Sequence, residues 1–282
     1  MSPAEAQALS PKEMVIAPPR GWRALDLGEL WAHRDLVYFL TKRELQIRYR
    51  QSFFGVGWAV LQPIVLTFIL ALVFSKFIRF DTSIPYAVFA VAGLVPWLFT
   101  AQAVTNCANS LVKDAELISK VYFPRLAVPL ALSLSLIIDL VFALIVLLVM
   151  MALYGVGLAS TFYLVPAFLL LGVFTTFAIG TLFAAINVKY RDVQLVVPML
   201  VQMMFFLTPV VYPADAVVKG SWIYLYAINP LVSVLEGLRW ALFGTAYPGT
   251  GVIAVSVASA VVLALVALWY FRRTEQFFAD LI

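Results

Sequence analysis

Ionisable side chains inside long apolar runs are where this sequence could do chemistry, and they are few. Asp139 lies within the apolar run 126–153. A carboxylate at membrane depth is expensive, which makes such a residue a candidate functional site. A lone acid without a basic partner is a poor proton relay, however. Ser133 and Ser135 are close in sequence, so a hydrogen-bonded structural acid is the expected reading. Glu236 and Arg239 are three residues apart and can meet on one helical face. That pair either holds its segment together or touches a polar substrate; the residues leave both open. "GTAYPGT" (244–250) has the glycine spacing of a phosphate loop, but it lacks the lysine and follows no strand. No serine-nucleophile elbow, zinc-protease motif or paired-cysteine motif occurs. One cysteine, Cys107, and one histidine, His33, exclude an intrachain disulfide and a Cys/His metal cage. No catalytic residue and no metal site is therefore expected, and work against a gradient would need a motor on another chain.

The elements that must position these residues follow from composition. Of 282 residues, 63% are hydrophobic and 12% charged, against about half and about a quarter in soluble domains. The apolar runs exceed 18 residues without alternation, which fits transmembrane helices and not barrel strands of about 10 residues. The expected fold is an all-α integral membrane protein. The start, "MSPAEAQALSPKEMVIAPPRGW", has no apolar core of a signal peptide. Residues 1–24 are expected to form a disordered cytoplasmic tail.

Residues 26–52 mix apolar positions at helical spacing (Leu36, Val37, Leu40, Ile47) with Lys42, Arg43, Arg48 and Arg50. This predicts a helix lying in the membrane interface, basic side toward lipid phosphates; Glu44 interrupts its apolar stripe. Six spans are predicted at about 58–78, 86–111, 126–153, 162–187, 193–212 and 252–271. The stretch 221–244 is long enough to cross but is broken by Asn229-Pro230. With six spans and a cytoplasmic N-terminus, only Lys76, Arg79, Lys219 and Arg239 of the 19 Lys and Arg fall outside. A full crossing at 221–244 would move Arg272 and Arg273 outside as well, against the positive-inside rule. The region 214–244 is therefore predicted to be a re-entrant hairpin, with its irregular backbone shielded by protein or lining a wet passage. Aromatics cluster near span ends, Phe53, Phe54, Phe80, Trp97 and Tyr224 among them. An interfacial belt explains most of these, while some could face a passage and support sugar rings.

Between the second and third spans stands "KDAELISKVYFPR" (113–125), too charged for lipid. Asp114 is placed to N-cap a short helix over 114–120 through its side chain, Lys120 suits the C-terminal dipole, and Pro124 ends it. So short a helix needs something to pack on, and Leu117 and Ile118 offer an apolar edge.

Several stretches together resemble one family, the membrane subunits of polysaccharide-exporting ABC transporters, in the branch that exports O-antigen and teichoic acid. They are "LTKRELQIRYRQSFFGVGWAVLQP", "LISKVYFPR", "NVKYRDV", "TPVVYP", "INPL" and "FRRTEQFFAD", in the family's order from about residue 25 onward. The resemblance implies a single permease domain over 25–282 with six transmembrane helices, an interfacial helix and re-entrant helices between spans five and six. It implies a homodimer with two copies of a separate ATPase, which binds the ATP and Mg, so this chain holds no cofactor and is not itself an enzyme. The site would be the bacterial inner membrane, with both termini cytoplasmic. Asp114, Glu116, Leu117, Ile118, Lys120 and Arg125 would belong to the coupling helix that docks on the ATPase. The first and fifth spans would line the channel, making Trp58, Phe68, Phe206 and Tyr212 candidates to touch the lipid-linked glycan. A permease for a small drug or lipid is the alternative within transport. A membrane enzyme acting on lipid-linked sugars would need clustered acids, and Asp139, Asp215 and Glu236 are scattered.

Overall fold

A computed structural model of the chain describes residues 27–50, 57–77, 84–120, 123–275 and 278. The tail expected over 1–24, the ends of the 26–52 segment, Phe53, Phe54, Ile78, Arg79, Phe80 and the side chains of Lys76 and Phe77 lie outside the described residues. Among the described residues every regular element is helical.

The amphipathic segment is two helices, α1 (Leu27–Ala32) and α2 (Arg34–Arg50). The predicted single helix breaks at His33, whose carbonyl accepts from Leu36 N and Val37 N at 3.0 and 3.2 Å and so starts α2 afresh. α3 (Gly57–Phe77) follows, with Pro63 in its second turn, where few intrahelical bonds are lost.

The centre of the molecule is α4 (Tyr86–Lys113), about 42 Å long at 1.5 Å per residue. Its N-terminal half is closed over on every side: Val88, Ala90, Val91, Ala92 and Val95 are fully buried. α3, α6 (Ala127–Leu153), α7 (Val165–Lys189) and α8 (Val193–Leu207) all pack on it. Between α4 and α6 lies the short α5 (Ala115–Lys120). A 3-10 turn at Phe162–Leu164 leads into α7.

Among the described residues four helical stretches are long and apolar enough to cross a membrane: Tyr86–Lys113, Ala127–Leu153, Phe162–Lys189 and Thr250–Glu275. The last is α12 and extends beyond the expected 252–271. α3 and α8 carry the shorter apolar stretches Val60–Leu70 and Val193–Leu207. The expected fifth span, 193–212, thus stops as a helix at Leu207. Thr208 is extended (φ −112°, ψ 141°) because a residue before proline is driven out of the helical region.

Beyond Thr208 the expected hairpin is three helices: α9 (Ala214–Val217), α10 (Trp222–Tyr226) and α11 (Pro230–Phe243). α11 is well delimited. Asn229 Oδ1 accepts from Leu231 N at 3.1 Å, Pro230 occupies the first turn, and Gly244 ends it at φ 66°, a conformation suited to glycine. α11 packs against α4, α7 and α12. It approaches α7 so closely that a Cβ on Gly237 would stand 2.1 Å from the Phe168 ring.

Candidate coupling corner and passage lining

The charged segment between α4 and α6 does not stand apart from the body. Ile118 is 6% exposed, within a cluster that includes Val37 and Leu40 of α2, Leu126 and Ala127, Ala184 and Val188 of α7, and Phe271 of α12. Leu117 packs half-buried on the same cluster. The apolar edge expected on this helix is therefore largely taken up by the chain's own core. What α5 leaves in the open is its polar side, with Glu116 and Lys120 joined at 3.2 Å and both highly exposed.

Asp114 does not cap α5 through its side chain as expected. Its backbone carbonyl accepts from Leu117 N and Ile118 N at 3.0 and 3.1 Å. The carboxylate is occupied by Arg43 Nη2 of α2, at 2.7 and 2.6 Å. Glu44 is the key to this contact. It seemed to spoil an apolar stripe, yet it is 6% exposed. It takes Arg43 at 2.9 Å and Lys113 Nζ at 3.3 Å. Four alternating charges thus bolt α2 to the end of α4. Burial works against the Arg43 charge, but the Glu44 and Asp114 carboxylates outweigh it and hold the guanidinium above its usual pKa. Arg125 is also engaged within the chain, donating to the Glu275 carbonyl and lying over the Phe278 ring.

A second bolt lies about a turn and a half further along α2. Arg48 Nη1 reaches Asp139 Oδ2 at 2.6 Å, and the Tyr49 hydroxyl donates to Asp139 Oδ1. Asp139 is hydrogen-bonded and not a lone acid, and its partners differ from those the sequence offered. Ser133 is turned to Cys107 and the Pro129 carbonyl, and Ser135 to the Leu132 carbonyl. Burial, and then the Asp139 carboxylate, push the Tyr49 phenol up to about 12. This bolt borders a cavity of about 110 Å³ between α2, α3, α4 and α6, which Trp58, Gln62 and Gln102 also line. Gln102 donates to Gln62 across it at 3.1 Å. The space suits a few waters held by these polar groups. Arg50, the last basic residue of α2, is exposed.

The four aromatics singled out for the passage do not behave alike. Trp58 and Phe68 on α3 and Phe206 on α8 are 53%, 65% and 67% exposed. Both helices flank α4 and leave most of their apolar surface open; only Val197 of α8 is buried. Tyr212 is instead held inside the turn after α8. Its hydroxyl meets the Phe206 carbonyl at 2.7 Å and Tyr226 at 3.0 Å.

Glu236 and Arg239 do pair, at 3.0 Å, and the structure favours the holding role. Arg239 is completely buried. It donates to the carbonyls of Pro209 (2.7 Å) and Val210 (2.5 Å), and its guanidinium lies 3.7 Å over the Phe89 ring. One side chain of α11 thus fixes the irregular turn after α8 against α4. The fit is close enough that a Cβ on Gly93 would strike the Val210 carbonyl at 2.0 Å. Asn229 adds a further tie, donating to Thr208 Oγ1 at 2.9 Å.

Among the described residues no group of Asp, Glu, His and Cys could hold a metal ion. Compared with known families, residues 35–243 match the ABC-2 type transporter family. The chain belongs to that family. The match runs from the start of α2 to the end of α11, so it takes in both bolts and the Arg239 staple. An O-antigen export system permease protein of Klebsiella pneumoniae is 30% identical over 261 residues, 91% of this chain and 97% of its own length. A protein of the same name from Myxococcus xanthus is 30% identical over 254 residues, 89% of this chain and 97% of its own. A polysialic acid transport protein of Escherichia coli is 25% identical over 211 residues, covering 73% and 80%. The ABC-2 membership accords with the six stretches that carried the resemblance.

The contacts between α2 and the rest escaped sequence reasoning because their partners are 69 to 91 residues away. One signal was present: an acid, Glu44, on the buried side of an amphipathic helix demands a basic partner there.

Proposed function

We propose that this chain is the channel-forming membrane subunit of an ATP-driven exporter of lipid-linked polysaccharide. The observation that carries the reading is the near end-to-end match to O-antigen export permeases, 91% of this chain against 97% of the relative. In this reading α3 and α8 complete a set of six spans with the four long helices. α9 to α11 form the re-entrant element on the outer side, and α5 with the end of α2 faces the cytoplasm. Two copies pair through the open sides of α3 and α8, and two ATPase subunits dock beneath them.

The bolts suggest how force travels. A push on α5 reaches α2 through Asp114–Arg43 and Lys113–Glu44. From α2 it passes to the middle of α6 through Arg48–Asp139, beside the foot of α3 at Trp58. A helix tied at its middle and near its C-terminal end moves as a lever, so a small shift at the ATPase becomes a tilt of the spans. Once α3 and α8 part, Trp58, Phe68 and Phe206 offer flat apolar faces to sugar rings while hydroxyls stay in water. Arg239 keeps the outer turn rigid during the stroke.

The test is co-purification with an ABC ATPase subunit of the host, followed by ATP turnover with and without lipid-linked glycan. The reading expects a stable complex whose turnover responds to glycan. A stable, transport-active permease with no nucleotide-binding partner would overturn it. Stimulation by a small drug or free lipid in place of glycan would favour the small-substrate alternative.

A further inference from the structure

At the end of α4 farthest from the coupling corner, the fold encloses a half-open cavity of about 790 Å³. Phe89 of α4, the segment 213–223, Glu236 of α11 and the loop 245–248 bound it. Its volume lies in the range of ligand sites, roughly 300–1,000 Å³. Phe89 and Lys113 are 24 residues apart on one helix, so the cavity lies about 36 Å from the coupling corner. None of the roles assigned above uses it.

Its lining is specific. Glu236 is largely buried, and Oε1 takes both of its protein hydrogen bonds, from Arg239 and from Ala214 N at 3.2 Å. Oε2 takes no hydrogen bond from the protein, and Glu236 lines the cavity. Tyr247 is half-exposed, with its ring steadied by Trp240 at 4.7 Å between centroids, and so presents a flat apolar platform. Asp215 and Lys219 stand at the rim, both exposed. The walls are apolar: Val218, Ile223, Val232 and Val252. Gly244 and Gly249, at φ 66° and 93°, bracket the loop that carries Thr245, Tyr247 and Pro248. An alkyl chain would leave Glu236 Oε2 buried and unpaired, at a cost. A phosphate would meet two carboxylates against one lysine. A neutral sugar ring satisfies the set, with its apolar face on Tyr247 and hydroxyls donating to Glu236 and Asp215.

We propose that this cavity is a saccharide-binding subsite, holding one or two sugar units of the glycan on the outer side. It rests on the export reading and adds a residence point outside the passage. Such a subsite would favour forward movement by retaining emerging units.

The test uses Ala246→Cys, an exposed lining position, in the full chain with its ATPase in sealed vesicles. Cys107 is completely buried, so the introduced thiol is the one that an impermeant maleimide labels from the outer face. The probe is a set of two- to four-unit oligosaccharides released by mild acid from the host strain's surface polysaccharide. Labelling should slow at least threefold at millimolar oligosaccharide, and Tyr247→Ala in the same background should abolish that protection. Saturation-transfer NMR on the solubilised complex should show contact to the same sugars, lost with Asp215→Asn/Tyr247→Ala. Unchanged labelling and no transfer, in vesicles that export glycan, would overturn the subsite and leave the export reading standing. Protection with no glycan export would uphold the subsite and overturn the export reading.

Discussion

Arg239→Met tests how the turn after α8 is held. Arg239 is completely buried and serves four groups at once: Glu236 and the carbonyls of Pro209, Val210 and Tyr212. Methionine fills much of the same volume but donates no hydrogen bond. Two buried carbonyls lose their partner, and Glu236 becomes an uncompensated carboxylate. Breaking a buried ion pair from one side costs about 3–5 kcal/mol. For a chain of this size 1 kcal/mol moves the melting point by about 2–4 °C, so the shift should be roughly 6–20 °C. The chain supplies its own reporter. Cys107 is its single cysteine, buried between Ser133 and Gly180, so a thiol-reactive dye reads unfolding directly. Adding Glu236→Gln removes the stranded charge and should recover about 1–2 kcal/mol of the loss, within the usual size of coupling between touching residues. A single variant melting within 2 °C of the wild type would refute the staple. So would a double variant less stable than Arg239→Met alone.

At the coupling corner, Ile118→Ala should cost about 2–5 kcal/mol by the same dye assay, whereas Glu116→Arg should change stability by less than about 0.5 kcal/mol while weakening co-purification with the ATPase. Arg43→Asp should uncouple ATP turnover from export, and Arg43→Asp/Asp114→Arg should restore most of it; no recovery would count against the lever. The Tyr49 phenol should titrate near pH 12, read as the 295 nm absorbance difference between wild type and Tyr49→Phe. Because its folded pKa is raised, its contribution to stability is complete below about pH 10 and lost between about pH 10 and 12; a titration at pH 10 would deny both the burial of Tyr49 and its Asp139 contact. Gly237→Ala, whose Cβ meets the Phe168 ring at 2.1 Å, should destabilise by about 1–3 kcal/mol despite alanine's better helix propensity.

Helices were legible wherever apolar length or proline punctuation marked them. Pro124 and Asn229-Pro230 placed boundaries that the fold keeps, because proline constrains the chain locally. Thr208-Pro209 carried the same signal for the end of α8, yet the apolar run through Val210 and Val211 masked it. The break at His33 had no such mark. Long-range polar pairing was the least legible layer. Asp139 looked solitary because its partners, Arg48 and Tyr49, come from a helix that periodicity placed flat on the membrane surface. Ile118 looked available for a partner protein because one-dimensional patterning cannot distinguish an apolar edge used within the chain from one used between chains. Glu236–Arg239 was the exception, since its three-residue spacing puts both ends on one helical face.

The central claim is best tested by reconstituting this chain with its ATPase in sealed vesicles that carry lipid-linked glycan on the ATP-accessible face, and following glycan arrival on the opposite face with a membrane-impermeant lectin. The expected result is ATP-dependent arrival that is lost when the ATPase is made hydrolysis-deficient and strongly reduced by Arg43→Asp. Glycan that stays on the loading face, despite an assembled complex that hydrolyses ATP, would contradict it.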